Sequence, residues 1–150
     1  PVPLTMQTFT ALTAGYTLGA WRGMAAMTLY MGAGLVGVPV FTGGGGPGYV
    51  LSPTFGYIAG FVCAAGVTGA LAPLNRRQSP FAAYGVMLAG MAALYIPGVA
   101  WLGFMLALAT DAPSSAGTVI KIGFLLPVIG DLLTAIPAAY LSVRLREKLR

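Results

Sequence analysis

Charge is what this chain has least of. It carries 8 Lys and Arg and 3 Asp and Glu in 150 residues, 7% in all. An ordinary soluble domain carries roughly 25%. So few charges cannot cover a water-facing surface, which excludes a conventional soluble domain. Histidine is absent, and with it goes the commonest general base and metal ligand. A single cysteine, Cys63, leaves no internal disulfide to form. The acidic residues are limited to Asp111, Asp131 and Glu147. With no His beside them they make no catalytic constellation. The expectation is a chain that is not an enzyme, with no metal site and no cofactor of its own.

What is present is apolar. Hydrophobic residues make up 57% of the sequence and the mean hydropathy is +0.84. These values predict an all-α integral membrane protein: a compact multi-span helical bundle forming one domain over residues 1–150. Five apolar spans can be marked, at about Leu4–Ala20, Gly23–Gly37, Thr54–Leu71, Pro80–Leu108 and Pro127–Leu145. Several fall short of the roughly 20 residues that cross a bilayer unaided. The fourth is long enough to tilt or kink, with Pro97 as the natural kink site. The moderately apolar stretch Ser114–Leu126 contains Lys121 and is too short to cross. It is expected as an interfacial or re-entrant piece ahead of the last helix. The chain opens on Pro1, without Met or a signal-peptide pattern, and is expected to be a fragment or a processed product.

The cations are not scattered. Arg22 falls between the first two spans, Arg76 and Arg77 between the third and fourth, and Arg144, Arg146, Lys148 and Arg150 at the end. If every span crosses once, all of these lie on one side, which the positive-inside rule makes cytoplasmic. The other side holds only Asp111 and Lys121. Topology thus accounts for the net charge of +5, with no patch for nucleic acid. Gly15 with Gly19, Gly56 with Gly60, and Ala65 with Gly69 sit four residues apart. In lipid that spacing brings helix backbones close, either within the bundle or against a partner helix.

The stretch FTGGGGPGYVLSPTFGY, Phe41 to Tyr57, interrupts the apolar sequence. Gly43, Gly45 and Gly48 satisfy GxGxxG, but no βαβ unit surrounds them. Gly43 and Gly48 have the Walker A spacing, but Tyr49 and Val50 stand where Lys and Ser or Thr would hold phosphate and magnesium. The stretch is then either a slack connector or a loop that cradles a ligand. Val40, Phe41, Tyr49, Val50 and Leu51 would be wasted in a connector exposed to water, which favours the cradle.

These same residues carry a family resemblance. GLVGVPVFTGGGGPGYVLSPTFGYIAGF resembles the signature of the BioY family, the biotin-binding S-components of energy-coupling factor (ECF) importers. PVPLTMQTF is similar to that family's PVPxTLQT stretch. Tyr95, Gly98, Trp101 and Leu102 resemble its YxxGxxWL pattern. Pro127, Gly130, Asp131, Leu132 and Leu133 resemble its PxxxGDLLKA segment. The resemblance covers essentially the whole chain. It implies a six-helix pattern of which about five helices fall here, the first being absent upstream of PVP. It also implies an outward substrate pocket and biotin as transported ligand, in a prokaryotic plasma (inner) membrane. The implied partners are a transmembrane coupling subunit and ATPase subunits, since this chain has no ATP motif. One residue departs: Thr134 stands where the family's Lys is expected.

Asp131 is the acidic residue inside an apolar stretch, and so a candidate for function at membrane depth. Its competing role is electrostatic, near the start of a helix opened by Pro127. A carboxylate suits the two N–H donors of biotin's ureido ring. Phe41, Tyr84, Tyr95 and Trp101 are candidate walls for its rings and valeryl chain, or else interfacial aromatics. Backbone N–H groups at Gly44, Gly45 and Gly46, or Lys121, are candidates for the ligand's own carboxylate. Gln7 and Thr8 either complete the mouth or cap a helix. The glycine stretch is expected to act as a lid. Two other readings stand beside this one: an S-component for another vitamin, prompted by Thr134, and a small helical membrane scaffold without a ligand.

Overall fold

The computed structural model describes residues 6–75, 77–109 and 116–149. Arg76, Asp111 and Arg150 lie outside the described residues, as do the PVPLT opening and the first residues of the Ser114–Leu126 stretch. Helix and turn dominate, and the described residues form no strand.

The first two helices, α1 (Gln7–Leu18) and α2 (Ala20–Leu35), form a hairpin around one residue, Gly19. Gly19 takes φ 87°, a backbone region that costs glycine little and other residues much. The hairpin is tight because a Cβ on Gly23 would meet the backbone of Gly15. Gln7 near the start of α1 reaches Tyr30 near the end of α2, as antiparallel neighbours should. The second helix therefore begins three residues earlier than Gly23. Arg22 sits exposed in its first turn rather than in a connection, because a glycine turn needs so little chain.

Helix α3 (Phe55–Leu71) is the centre of the bundle, packed against α1, α2 and α4 (Pro80–Ala109). Its small residues explain how. A Cβ on Gly56 would strike Trp101 and the carbonyl of Pro97, and one on Gly60 the carbonyl of Leu94, so this stripe faces α4. Further along, Gly15 of α1 lies against Ala65 and Thr68, and Gly69 lies against Gly19 and Ala20. The four-residue spacings are thus used within the chain, where close backbone approach replaces a hydrophobic drive. Gly19 alone among them serves the turn instead. Pro97 sits inside α4, which stays helical from Pro80 to Ala109.

The last helix, α6 (Leu126–Lys148), packs on α1 and α4. A short α5 (Ala116–Ile120) and a π turn (Lys121–Leu125) lead into it without a break. The described part of Ser114–Leu126 is therefore the first turns of one helical run, Ala116–Lys148, not a separate re-entrant piece. The π turn carries the chain past Lys121, which is exposed. Three runs are long and apolar enough to cross a membrane by length and composition: Phe55–Leu74, Pro80–Ala109 and Ala116–Lys148.

The two ends of the bundle differ. Arg22, Arg77, Arg144, Arg146 and Lys148 belong to the end where α1 meets α2 and α6 finishes. A polar clasp closes that end. Arg146 donates to the Tyr16 carbonyl at 2.9 Å and Asn75 to the Tyr16 hydroxyl at 2.8 Å. The opposite end carries the glycine loop, the start of α1 and the π turn.

Candidate functional site

The glycine loop is folded, not slack. Phe41 and Gly44 exchange both backbone hydrogen bonds at 2.9 Å, with Gly44 at φ 114°. Gly46, also at φ 114°, donates its N–H to the Gly34 carbonyl at 2.7 Å. Phe41 is buried over Gly34, where any side chain would collide with its ring. Tyr30 meets that ring edge-on at 5.6 Å, and Tyr49 tilts against it at 4.6 Å. Tyr30 also donates to the Val40 carbonyl at 2.9 Å. At the far end of the loop, Trp101 donates its indole N–H to Ser52 at 3.0 Å. A short 3-10 turn, Pro47–Leu51, carries Tyr49 between these ties.

Under this loop lies a cleft of about 490 Å³, counted out to its open mouth. The enclosed part is only about 40 Å³, far below the ~300–1,000 Å³ of occupied small-ligand sites, so a ligand enters only if the loop or side chains around the mouth give way. Helix α1 contributes Gln7 and Thr8, the loop region Thr42, Tyr49 and Thr54, and α3 Tyr57, Ile58 and Phe61. Leu94 and Tyr95 come from α4, and Pro127 and Asp131 from α6. The walls are apolar and aromatic with a few convergent polar groups, as expected of a site for a small organic molecule.

Asp131 is the one charged residue in that lining and is only 6% exposed. Its partners are hydroxyls: Tyr95 donates at 2.6 Å and Thr8 at 3.2 Å. Both bonds end on Oδ2, so Oδ1 remains for an incoming donor. The geometry has local causes. Pro127 lies inside the helical run just after the π turn and brings no N–H to the helix ladder there, and Asp131 follows one turn later on the same face. Tyr95 is held edge-on between Tyr57 at 6.0 Å and Phe124 at 5.1 Å. Tyr57 in turn donates to the Gly123 carbonyl of the π turn at 2.6 Å. Gly98 and Gly123 make room for the Tyr57 ring and hydroxyl, since a Cβ on either would collide with them. Such single π turns recur at functional sites.

Of the residues singled out in the sequence, Asp131, Tyr95, Gln7 and Thr8 come together in the cleft. Phe41 and Trp101 do not line it: Phe41 pins the start of the loop and Trp101 its end. Tyr84 lies further down α4 and donates to the Leu132 carbonyl at 3.4 Å, in a groove between α4 and α6. Lys121 is exposed and outside the lining. The N–H groups of Gly44 and Gly46 are occupied by Phe41 and Gly34, and none of Gly44, Gly45 and Gly46 lines the cleft. The loop instead offers Thr42 and Tyr49. Tyr49 was read in the sequence as part of a cradling loop, whereas Thr42, Thr54, Tyr57, Ile58, Phe61 and Leu94 were not singled out as site residues. Tyr57 had a usable signal, an aromatic closing the glycine stretch one residue after a close-packing glycine. Thr134 donates to the Asp131 carbonyl at 3.0 Å, so its hydroxyl serves its own helix.

Comparison with known proteins agrees with this architecture. The sequence profile of the BioY family matches residues 1–150. The chain is 38% identical to a "Probable biotin transporter BioY" of Lysinibacillus sphaericus over 99% of this chain and 76% of that protein. It is 34% identical to "Biotin transporter BioY" of Thermotoga maritima over 98% of this chain and 82% of that protein. A crystal structure of the S-component for biotin from an ECF-type ABC transporter superposes with a TM-score of 0.83. That match has 28% identity and covers 98% of this chain and 77% of the other.

Proposed function

The chain belongs to the BioY family, and from that premise we propose that it captures biotin in the cleft around Asp131, as the substrate-binding membrane subunit of an ECF-type transporter. The observation that carries the reading is Asp131 itself: buried, held on Oδ2 by Tyr95 and Thr8, with Oδ1 left over. Biotin's ureido N–H groups are the donors such an oxygen accepts, and hydrogen bonds to a carboxylate strengthen in a dry pocket. Tyr49, Tyr57 and Phe61 supply aromatic walls for the bicyclic ring. The chain performs no chemistry on the ligand. Uptake is driven by a transmembrane coupling subunit and ATPase subunits, which bind at surfaces other than the cleft. The glycine loop is the outward lid, and the cation-rich end faces the cytoplasm of a prokaryotic cell.

Radiolabelled biotin binding to the purified chain in detergent tests this, with unlabelled biotin, thiamine and riboflavin as competitors. Displacement by biotin alone is expected. A monodisperse sample that retains no biotin sinks the reading. Thr134 motivates the second reading, an S-component for another vitamin, because its hydroxyl is spent on the Asp131 carbonyl and adds no cation to the cleft. Retention of thiamine or riboflavin in place of biotin would select it.

A further inference from the structure

Away from the cleft, at the end of the bundle that gathers the cations, a groove runs between α4 and α6. Its apolar stretch, about 770 Å³ counted to its open side, is lined by Pro80, Phe81, Tyr84, Ile136, Ala139 and Tyr140. Pro80 and Tyr140 continue into a polar mouth, where Gln78, Arg144 and Glu147 join them. The apolar wall is not covered by any part of the described chain: Phe81 is 88% exposed.

The polar mouth is arranged, not merely charged. Arg144 donates to the Tyr140 hydroxyl at 3.1 Å, and its guanidinium sits 5.3 Å from the centre of that ring. This holds the cation where the apolar and polar stretches meet. Glu147 lies three residues further along the helix and lines the same mouth. Gln78, held at φ 50°, donates its amide N–H to the Asn75 carbonyl, and its Oε1 is buried without a partner. The Asn75 bond fixes which way the amide points, because the flipped amide would oppose two carbonyl oxygens. The groove therefore ends in one exposed cation and one exposed anion, above an apolar channel.

We propose that this groove seats a membrane phospholipid with a primary-ammonium headgroup, phosphatidylethanolamine. The phosphate lies on Arg144, the ammonium on Glu147, and an acyl chain along Phe81, Tyr84 and Ile136. The mixed charges select this occupant. An anionic headgroup such as phosphatidylglycerol would leave Glu147 facing negative charge. A choline headgroup has no N–H to give Glu147. The level of the groove also fits, since the cation-rich end of a membrane bundle lies at the headgroups. Biotin capture plays no part in the argument, so either idea can fail alone.

Native mass spectrometry of the full chain in detergent tests it, with phosphatidylethanolamine, phosphatidylcholine and phosphatidylglycerol of matched acyl chains. Phosphatidylethanolamine should be retained roughly tenfold better than phosphatidylcholine, the scale of one charge-assisted hydrogen bond. Arg144→Ala should reduce it to the phosphatidylcholine level, and Glu147→Gln should erase the preference over phosphatidylglycerol. Both side chains are exposed at the end of α6, and the helical circular dichroism and monodisperse elution of the same samples report folding independently of any ligand. Equal retention of the three lipids by the unaltered chain overturns the proposal. So does a preference for phosphatidylglycerol, or full retention of phosphatidylethanolamine by Arg144→Ala.

Discussion

Asp131 accepts its two protein hydrogen bonds on one oxygen, and that asymmetry separates the roles of its neighbours. Asp131→Asn keeps the shape but replaces one acceptor oxygen with a donor that meets the ligand's N–H groups head-on. Biotin affinity should fall by about 2–5 kcal/mol, the cost of breaking a buried charged hydrogen bond. Titration of the folded variant with biotin reads it directly, and unchanged affinity removes Asp131 from the site. Tyr95→Phe keeps the ring between Tyr57 and Phe124 but deletes the donor to Oδ2. Affinity should drop by only ~0.5–1.5 kcal/mol, as for one ordinary hydrogen bond, with thermal stability nearly constant. A loss as large as that of Asp131→Asn would show that the hydroxyl touches the ligand itself. Asp131 was legible because a carboxyl in an apolar run has few structural excuses. Aromatic residues were less so. Tyr95 lines the cleft while Phe41 and Trp101 pin the loop, and ring chemistry alone does not say which side of a wall a ring occupies.

At the scale of elements, the small residues decide the packing. Gly60 of α3 sits against the Leu94 carbonyl of α4, a backbone atom that cannot rotate away. Gly60→Ala should push the helices apart and cost about 1–3 kcal/mol. Gly85, exposed on α4 with nothing near a Cβ, should gain up to ~1 kcal/mol when changed to Ala, through helix propensity alone. Thermal unfolding of both variants in detergent checks the pair, and equal effects would discredit the packing account. The helices themselves were legible, since long apolar runs leave few alternatives. The π turn was not, because Lys121–Leu125 shifts the helical register without any residue that ordinarily marks it. The loop was half legible: its glycines signalled irregular backbone, but its ties to Gly34 and Ser52 cross between elements. Pro47–Leu51 lies between those ties, and the proposed lid requires this span to move. A spin label at Leu51, 75% exposed, should lose mobility when biotin is added. An unchanged spectrum would reject the lid.

For the whole molecule, charge sets the direction of everything above. Arg22, Arg77, Arg144, Arg146 and Lys148 gather at one end, while Lys121 is the cation the described residues place toward the other. Translocating that cluster is costly, because intramembrane Arg and Lys cost roughly 2.5–3.5 kcal/mol each on insertion scales. In the proposed orientation the cluster stays inside, and the cleft, which opens under the loop at the opposite end, faces the side from which a nutrient arrives. The chain's single cysteine makes this easy to test. Cys63 is replaced by Ser, and cysteines are introduced one at a time at Leu51 and at Lys148, both exposed. In intact cells a membrane-impermeant maleimide should label the Leu51→Cys protein. It should reach the Lys148→Cys protein only after the membrane is opened. The reverse pattern would turn the bundle over, and a cleft facing the cytoplasm could not capture biotin from outside.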